Sequence, residues 1–284
     1  MADSPDLYAL VIHLRAAADG RLPRHIGHQA QALFLDLVRQ VDPACAAALH
    51  ADAPTKPFTV ATFPLPGVEQ HAEVALRRGA TIVLRVTLLQ SGLFAPFTRA
   101  LLSQLPAQPT LRLGALPLML ADVRGTTQSD AWAGFASFAE LAAAAQPTQR
   151  LTLHFAAPTA FAQSSSDDHE RVALLPDPQA VFGALLRRWN AWAPEEVQLD
   201  QAAIEQSAYR ALVSSYDLHT LRFGVGKALQ IGFVGTCSYR LIGSPEELRQ
   251  LALLADAAFY LGLGKKTARG MGMCRRMNGD KVTR

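Results

Sequence analysis

Along the chain the apolar positions alternate between two spacings, and the changes of period outline the elements. Leu7 to Leu14 (LYALVIHL) is a short run of β-formers, which predicts a first strand. After the loop Gly20-Arg21-Leu22-Pro23, the residues Leu33, Phe34, Leu37 and Val38 recur at helical spacing. They predict a helix from Gly27 to Asp42, ending before Pro43. A second, short helix is expected from Pro43 to His50, with Asp42 as N-cap and proline at its first position. Lys56 to Ala61 opens an extended segment, and further strands are expected at Ala72 to Leu76, Thr81 to Leu89 and Leu111 to Val123. A helix around Phe97 to Gln104 separates the last two. The resulting strand–helix–strand–strand–helix–strand order is the ferredoxin-like pattern.

Arg124 to Ala145 is rich in glycine, threonine, serine and alanine, and Gln146-Pro147-Thr148 closes it. A domain boundary is expected there, giving domains 1–145 and 146–284. Arg150 to Ala156 (RLTLHFA) starts a new strand, and Gln163 to Glu170 (QSSSDDHE) reads as a polar loop. Asp177 caps a helix from Pro178 to Trp192, with Val181, Phe182, Leu185, Leu186 and Trp189 on one face. Its Arg187-Arg188 pair is expected on the solvated side. Leu221 to Val225 and Ala228 to Tyr239 read as a hairpin. Ser244, Pro245 and Glu247 then form the start signal of a last helix that Gly262 ends, and a final strand is expected around Met271 to Arg276. The second half repeats the order of the first. The expected class is α+β, with two tandem ferredoxin-like (RRM-like) domains.

Composition supports a globular reading. Half of the 284 residues are hydrophobic and 18% are charged. Cys45, Cys237 and Cys274 have no metal-ligand spacing and cannot all pair, so a reduced, cytoplasmic setting is expected. The start Met1-Ala2-Asp3-Ser4-Pro5-Asp6 is acidic and lacks the apolar core of a signal peptide, and no apolar run is long enough for a membrane.

Charge changes the picture at one place. The net charge is only +3, yet from Gly264 onward Lys265, Lys266, Arg269, Arg275, Arg276, Lys281 and Arg284 are opposed by Asp280 alone. These residues overlap FYLGLGKKTARGMGMCRR, Phe259 to Arg276, in which Gly262, Gly264, Gly270 and Gly272 frame the basic cluster. Glycines that let a ligand approach the main chain, among lysines and arginines, suit phosphate. Two familiar phosphate motifs do not fit. A dinucleotide fingerprint needs glycine at Thr267 and a preceding strand, and a Walker-type loop needs glycine at Phe259. The alternative is a glycine-rich helix exit with solvated charges.

Several stretches together settle which phosphate compound to expect. Gly232-Phe233-Val234-Gly235, Tyr239, a helix and then the glycine loop resemble the C-terminal signature of the CRISPR-associated endoribonucleases that process repeat RNA, members of the RAMP superfamily. Leu153-His154-Phe155 with Pro158-Thr159-Ala160-Phe161, and Leu175-Pro176-Asp177-Pro178 with Trp189-Asn190, agree with it. So does Asp42-Pro43 leading to Leu49-His50 and Lys56-Pro57-Phe58-Thr59. The resemblance covers nearly the whole chain and is weakest from Val68 to Gln149. It implies two ferredoxin-like domains and cleavage of a precursor transcript within each repeat, releasing guide RNAs. The implied reaction is attack of a 2′-hydroxyl on the adjacent phosphorus, leaving a 2′,3′-cyclic phosphate and a 5′-hydroxyl.

The resemblance assigns His50 as the catalytic histidine and Lys56 as the lysine that stabilises charge. The family's helix tyrosine falls at about Leu35, so the third member is missing or supplied from elsewhere, and His28 is the first substitute, ahead of His25. Bland readings stand beside these: His50 closing a helix, Lys56 as a loop lysine, His28 as a surface residue at a helix start. His71, His154, His169 and His219 lack comparable context. Gly262, Gly264, Lys265, Lys266, Thr267, Arg269, Gly270 and Gly272 are the expected RNA-binding residues, through backbone amides and cationic side chains. No carboxylate cluster suggests a two-metal nuclease; Asp52 alone is near His50, so metal-independent cleavage without a cofactor is expected. The expected partner is CRISPR repeat RNA, as precursor and as guide, with no DNA and no membrane. A homodimer and a place in a CRISPR effector complex stay open, as does the alternative of a non-cleaving RNA-binding subunit.

Overall fold

The computed structural model describes residues 5–65, 73–104, 111–163, 171–225 and 228–277. His71, the expected loop pair Asp167-Asp168 with His169, and Asp280, Lys281 and Arg284 lie outside the described residues. The chain forms two compact units. The first takes the chain up to Ala136 together with Phe223–Gln230 and Ala268–Gly270; the second takes the remainder.

The first unit is built on β1 (Leu7–Ala16), β2 (Gly20–Pro23), α1 (Gly27–Val41), α2 (Pro43–His50), β3 (Phe58–Thr62), β4 (Glu73–Leu76), β5 (Thr81–Leu88), α3 (Phe94–Leu102), β6 (Leu111–Leu113), β7 (Leu116–Arg124) and β8 (Gly134–Ala136). The main sheet is antiparallel in the order β3-β5-β1-β7-β6, with β8 also paired to β1, while β2 and β4 form a separate pair. Taking β1, β3, β5 and β7 as the four strands of the motif, their order is second, third, first, fourth. That is the ferredoxin-like order. Period-2 alternation along β1 sends Leu10, Ile12 and Leu14 into one core with Leu33, Phe34 and Leu37 of α1 and Phe97 and Leu101 of α3. Phe34 is its centre, with ring centroids 4.5 Å from Phe58 and 5.0 Å from Phe97.

The second unit repeats the plan. It contains α4 (Phe138–Ala144), β9 (Arg150–Thr159), β10 (Phe161–Gln163), β11 (Arg171–Ala173), α5 (Pro178–Trp192), α6 (Gln201–Arg210), β12 (Leu212–Val225), β13 (Ala228–Arg240), α7 (Pro245–Leu261) and β14 (Cys274–Arg276). Residues 223–225 of β12 and 228–230 of β13 are grouped with the first unit. The sheet order β12-β13-β9-β14 is again second, third, first, fourth. Phe182 of α5 meets Tyr239 of β13, and Phe155 of β9 meets Phe233, in edge contacts that bind helix to sheet and strand to strand. The fold is two tandem ferredoxin-like domains, as expected.

Four local readings change. The expected strand Leu111 to Val123 is the hairpin β6–β7, which turns at Gly114 with φ 61°. The composition-biased stretch before Gln146 holds β8 and α4. Ser137 and Glu140 there make a complete capping box, a start signal present in the sequence but hidden by its alanines. Helix α6 was not expected; Asp200 caps it by accepting from the Ala203 amide at 2.7 Å, and β12 begins at Leu212 rather than Leu221. Arg187 is exposed, but Arg188 is buried, and burial pushes its pKa down to about 10.

Candidate active site

His50 is the last residue of α2, and its position follows from both helix ends. At the start, Pro43 occupies the first turn and the Asp42 carboxylate accepts from the Cys45 amide at 2.9 Å. At the end, Leu49 is buried and His50, one residue on, is exposed. The final carbonyls of a helix have no partner within it. Here Lys56 reaches back from the following loop and supplies one: its Nζ donates to the carbonyls of Leu49 at 3.0 Å, His50 at 3.4 Å and Ala51. An ammonium at this end also opposes the negative pole of the helix. The two residues named together in the sequence are thus together in space, but through the main chain of His50. Leu35 of α1 is half-buried against the core and has no proton to give.

The start of α1 places the other histidines. His28 is exposed in the first helical turn. His25, just ahead of the helix, is half-buried with its ring 4.2 Å from that of Phe223, tilted by 37°. Burial, with the Arg24 charge adding to it, pushes His25 down to about 4. A ring that resists protonation and packs on an aromatic is a structural element of this face. The helix begins with Gly27 because the main chain of Arg269 and Gly270 crosses there. A Cβ on Gly27 would overlap the Arg269 carbonyl, and one on Gly270 would lie 2.6 Å from the Gly27 Cα.

The glycine loop is held at many points. Gly262, Gly264, Gly270 and Gly272 all have positive φ, and so does Lys266 at 56°. The amide of Gly262 donates to Ala258, that of Lys265 to Ala160, that of Gly270 to Val60 and that of Gly272 to Pro158. These backbone donors, expected to serve phosphate, are spent inside the fold. Thr267 is buried at 4% exposure, against Gly272. Of the cationic side chains of the loop, Lys265 and Lys266 are half-buried and Arg269 is exposed.

Arg269 is also tied to α1: its Nε donates to Gln31 Oε1 at 3.1 Å. Gln31 is a buried polar residue that motif reading passed over. It lies on the helical stripe that includes Phe34 and Val38, where a buried glutamine is out of place, and that was the available signal. In the second unit, His154 pairs across β9–β14 with Arg275; burial first, then the Arg275 charge, lowers its pKa. Among the described residues no group of three or more histidines, cysteines or carboxylates could hold a metal ion. Among them, too, no helix is long and apolar enough to cross a membrane.

Two ferredoxin-like units, an exposed histidine on a lysine-capped helix end and a basic glycine loop define a RAMP-type protein. The family model for CRISPR-associated endoribonuclease Cas6 matches residues 153–274, and that for the CRISPR Cas6 N-terminal domain matches residues 7–143. The chain belongs to the Cas6 family of CRISPR-associated endoribonucleases. Among solved structures, a Cas6 product complex is 33% identical, with a TM-score of 0.82 over 96% of this chain and 100% of that one. A Thermus thermophilus Cas6 is 32% identical, with a TM-score of 0.72 over 97% of this chain and 100% of that one. The curated Cas6 of Mycobacterium tuberculosis is 28% identical over 138 residues, 49% of this chain and 42% of that protein. The matched stretch therefore spans less than half the length of that relative.

Proposed function

We propose that this chain cuts CRISPR precursor transcripts within their repeats, without a metal ion, to release guide RNAs. The observation that carries the reading is His50, exposed at the end of a helix that Lys56 locks, in a chain matched along its length by Cas6 models and structures. A Cas6 has also been solved as a substrate mimic complex, at 28% identity and a TM-score of 0.71 over 96% of this chain and 100% of that one.

In the proposed reaction the 2′-hydroxyl beside the cut loses its proton and its oxygen bonds to phosphorus. The bond to the 5′-oxygen breaks, and that oxygen takes up a proton. The products are a 2′,3′-cyclic phosphate and a 5′-hydroxyl. Histidine suits either proton transfer because its ordinary pKa is near neutrality. His50 is assigned one transfer and His28 the second. Lys56 sets the end of α2 from which His50 projects, and its charge favours the phosphorane. Lys265, Lys266 and Arg269 hold the backbone of the RNA, and Gly262, Gly264, Thr267, Gly270 and Gly272 give the loop its shape.

The test is incubation of the protein with its cognate repeat RNA in EDTA, followed by end-group analysis of the product. A cyclic-phosphate end is expected. His50→Ala should abolish it and leave RNA binding intact, and His28→Ala should lower the rate by roughly 10²–10⁴-fold if it carries the second transfer. Cleavage that needs a divalent ion would overturn the metal-free mechanism. A wild-type chain that binds its repeat and never cuts it would instead be an RNA-binding subunit.

A further inference from the structure

We propose that Gln31 is a positioning residue for RNA: it holds the Arg269 guanidinium so that the outer edge of its fork faces the phosphate backbone. The inference rests on the RNA-binding reading above and adds a residue to it. Three observations on the first unit carry it.

The first is the hydrogen bond itself. Gln31 is only 8% exposed, and its Oε1 accepts from Arg269 Nε at 3.1 Å. A guanidinium has five N–H donors in a rigid plane. Fixing Nε orients that plane and leaves the Nη1–Nη2 edge, which matches two oxygens of one phosphate. The partner at Nε is a neutral amide, and among the described residues no carboxylate forms an ion pair with Arg269.

The second is the backbone beneath. The Arg269 carbonyl and the Gly270 Cα lie directly on Gly27, and the Gly270 amide donates to the Val60 carbonyl at 2.8 Å. Arg269 is therefore held at its main chain and at Nε. A side chain fixed at both ends loses little rotamer freedom on binding, which is where an arginine otherwise gives up affinity.

The third is the company. Gln31 lies four residues after Gly27 and three after His28 on α1. The residue that orients the cation and the exposed histidine belong to the first two turns of one helix. A phosphate held by Arg269 is registered against α1 rather than against a loop.

Gln31 acts through Arg269, so its effect must vanish when Arg269 is absent. The experiment is a double-mutant cycle with Gln31→Met, Arg269→Ala and the pair. It measures the Kd of a repeat RNA carrying a 2′-deoxy sugar at the cut, together with kcat and KM on the cleavable RNA. Gln31→Met keeps the shape and removes the acceptor. It should weaken binding about 5–10-fold and raise KM alike, with kcat within about twofold, as for lost uniform binding. Arg269→Ala should weaken binding further and lower the slope of log K against log salt by roughly 0.7–0.9. In the Arg269→Ala background, Gln31→Met should change Kd less than about twofold. Gln31→Glu, which keeps the acceptor, should retain the orientation but lose affinity by charge.

Equal losses from Gln31→Met with and without Arg269 would overturn the proposal, as would unchanged Kd in a folded single variant. Thermal melting of each variant separates misfolding from lost positioning. If the wild type binds no repeat RNA, the RNA-binding reading fails before the cycle begins, so the two failures are distinct.

Discussion

At the scale of single residues, the structure redistributes work among groups of similar chemistry. Lys56 spends its ammonium on the carbonyls of Leu49, His50 and Ala51. Lys56→Met should lower stability by about 1–2 kcal/mol in urea unfolding, the worth of charge-assisted bonds to a helix end. It should also slow cleavage even at saturating RNA, because the helix end that carries His50 is no longer held by the ammonium. Unchanged stability would mean that the lysine is a solvated loop residue after all. His25 gives a pH prediction. Its folded pKa, about 4, lies below its ordinary value of 6.5, so the unfolded chain binds the proton more readily. Its contribution to stability is complete above pH 6.5 and is lost as pH falls from 6.5 towards 4. Replacing His25 with phenylalanine should flatten the pH dependence of the melting temperature in that window; a parallel shift at every pH would remove His25 as the cause.

Elements are shaped here by what crosses them. Alanine normally favours a helix over glycine by about 1 kcal/mol. At Gly27 that gain should be outweighed, because the added Cβ meets the Arg269 carbonyl and lies 2.7 Å from the Gly270 Cα. Gly27→Ala is expected to destabilise the chain by roughly 1–3 kcal/mol net, as over-packing of a rigid contact does. A rise in the urea midpoint would show that the main chain there yields easily. Helix α1 also has no side-chain N-cap. Ile26 precedes Gly27 and has no hydrogen-bonding side chain to offer. By contrast, α4 and α7 carry full capping boxes at Ser137 and Ser244.

For the whole molecule, the small net charge of +3 predicts that RNA affinity is local rather than a property of the overall field. Lys265→Ala with Lys266→Ala should lower the salt slope of binding by roughly 1.4–1.8, if each lysine neutralises one phosphate. The maximal cleavage rate should stay near that of wild type. A fall in rate without a change in slope would move these lysines from holding the strand to the chemistry.

Much of this protein was determined along the chain itself. The alternation in β1, the stripe Leu33-Phe34-Leu37-Val38, the Asp42-Pro43 and Ser244-Pro245 starts and the stop at Gly262 are local signals, because capping and side-chain period depend on near neighbours. They were enough for the ferredoxin-like order in both halves. They also placed His50 and Lys56 at a helix end and the loop after it. What the sequence could not hold were contacts between distant segments. That Gly27 must be glycine depends on Arg269 and Gly270. That Arg188 is buried while Arg187 is exposed depends on how α5 is packed, since helix period alone left both at its polar margin. The amides of Lys265, Gly270 and Gly272 looked free for phosphate, but they donate to Ala160, Val60 and Pro158. Only the tertiary structure decides such partners, because a hydrogen bond is made by whatever folding brings within about 3 Å, whatever its distance along the chain.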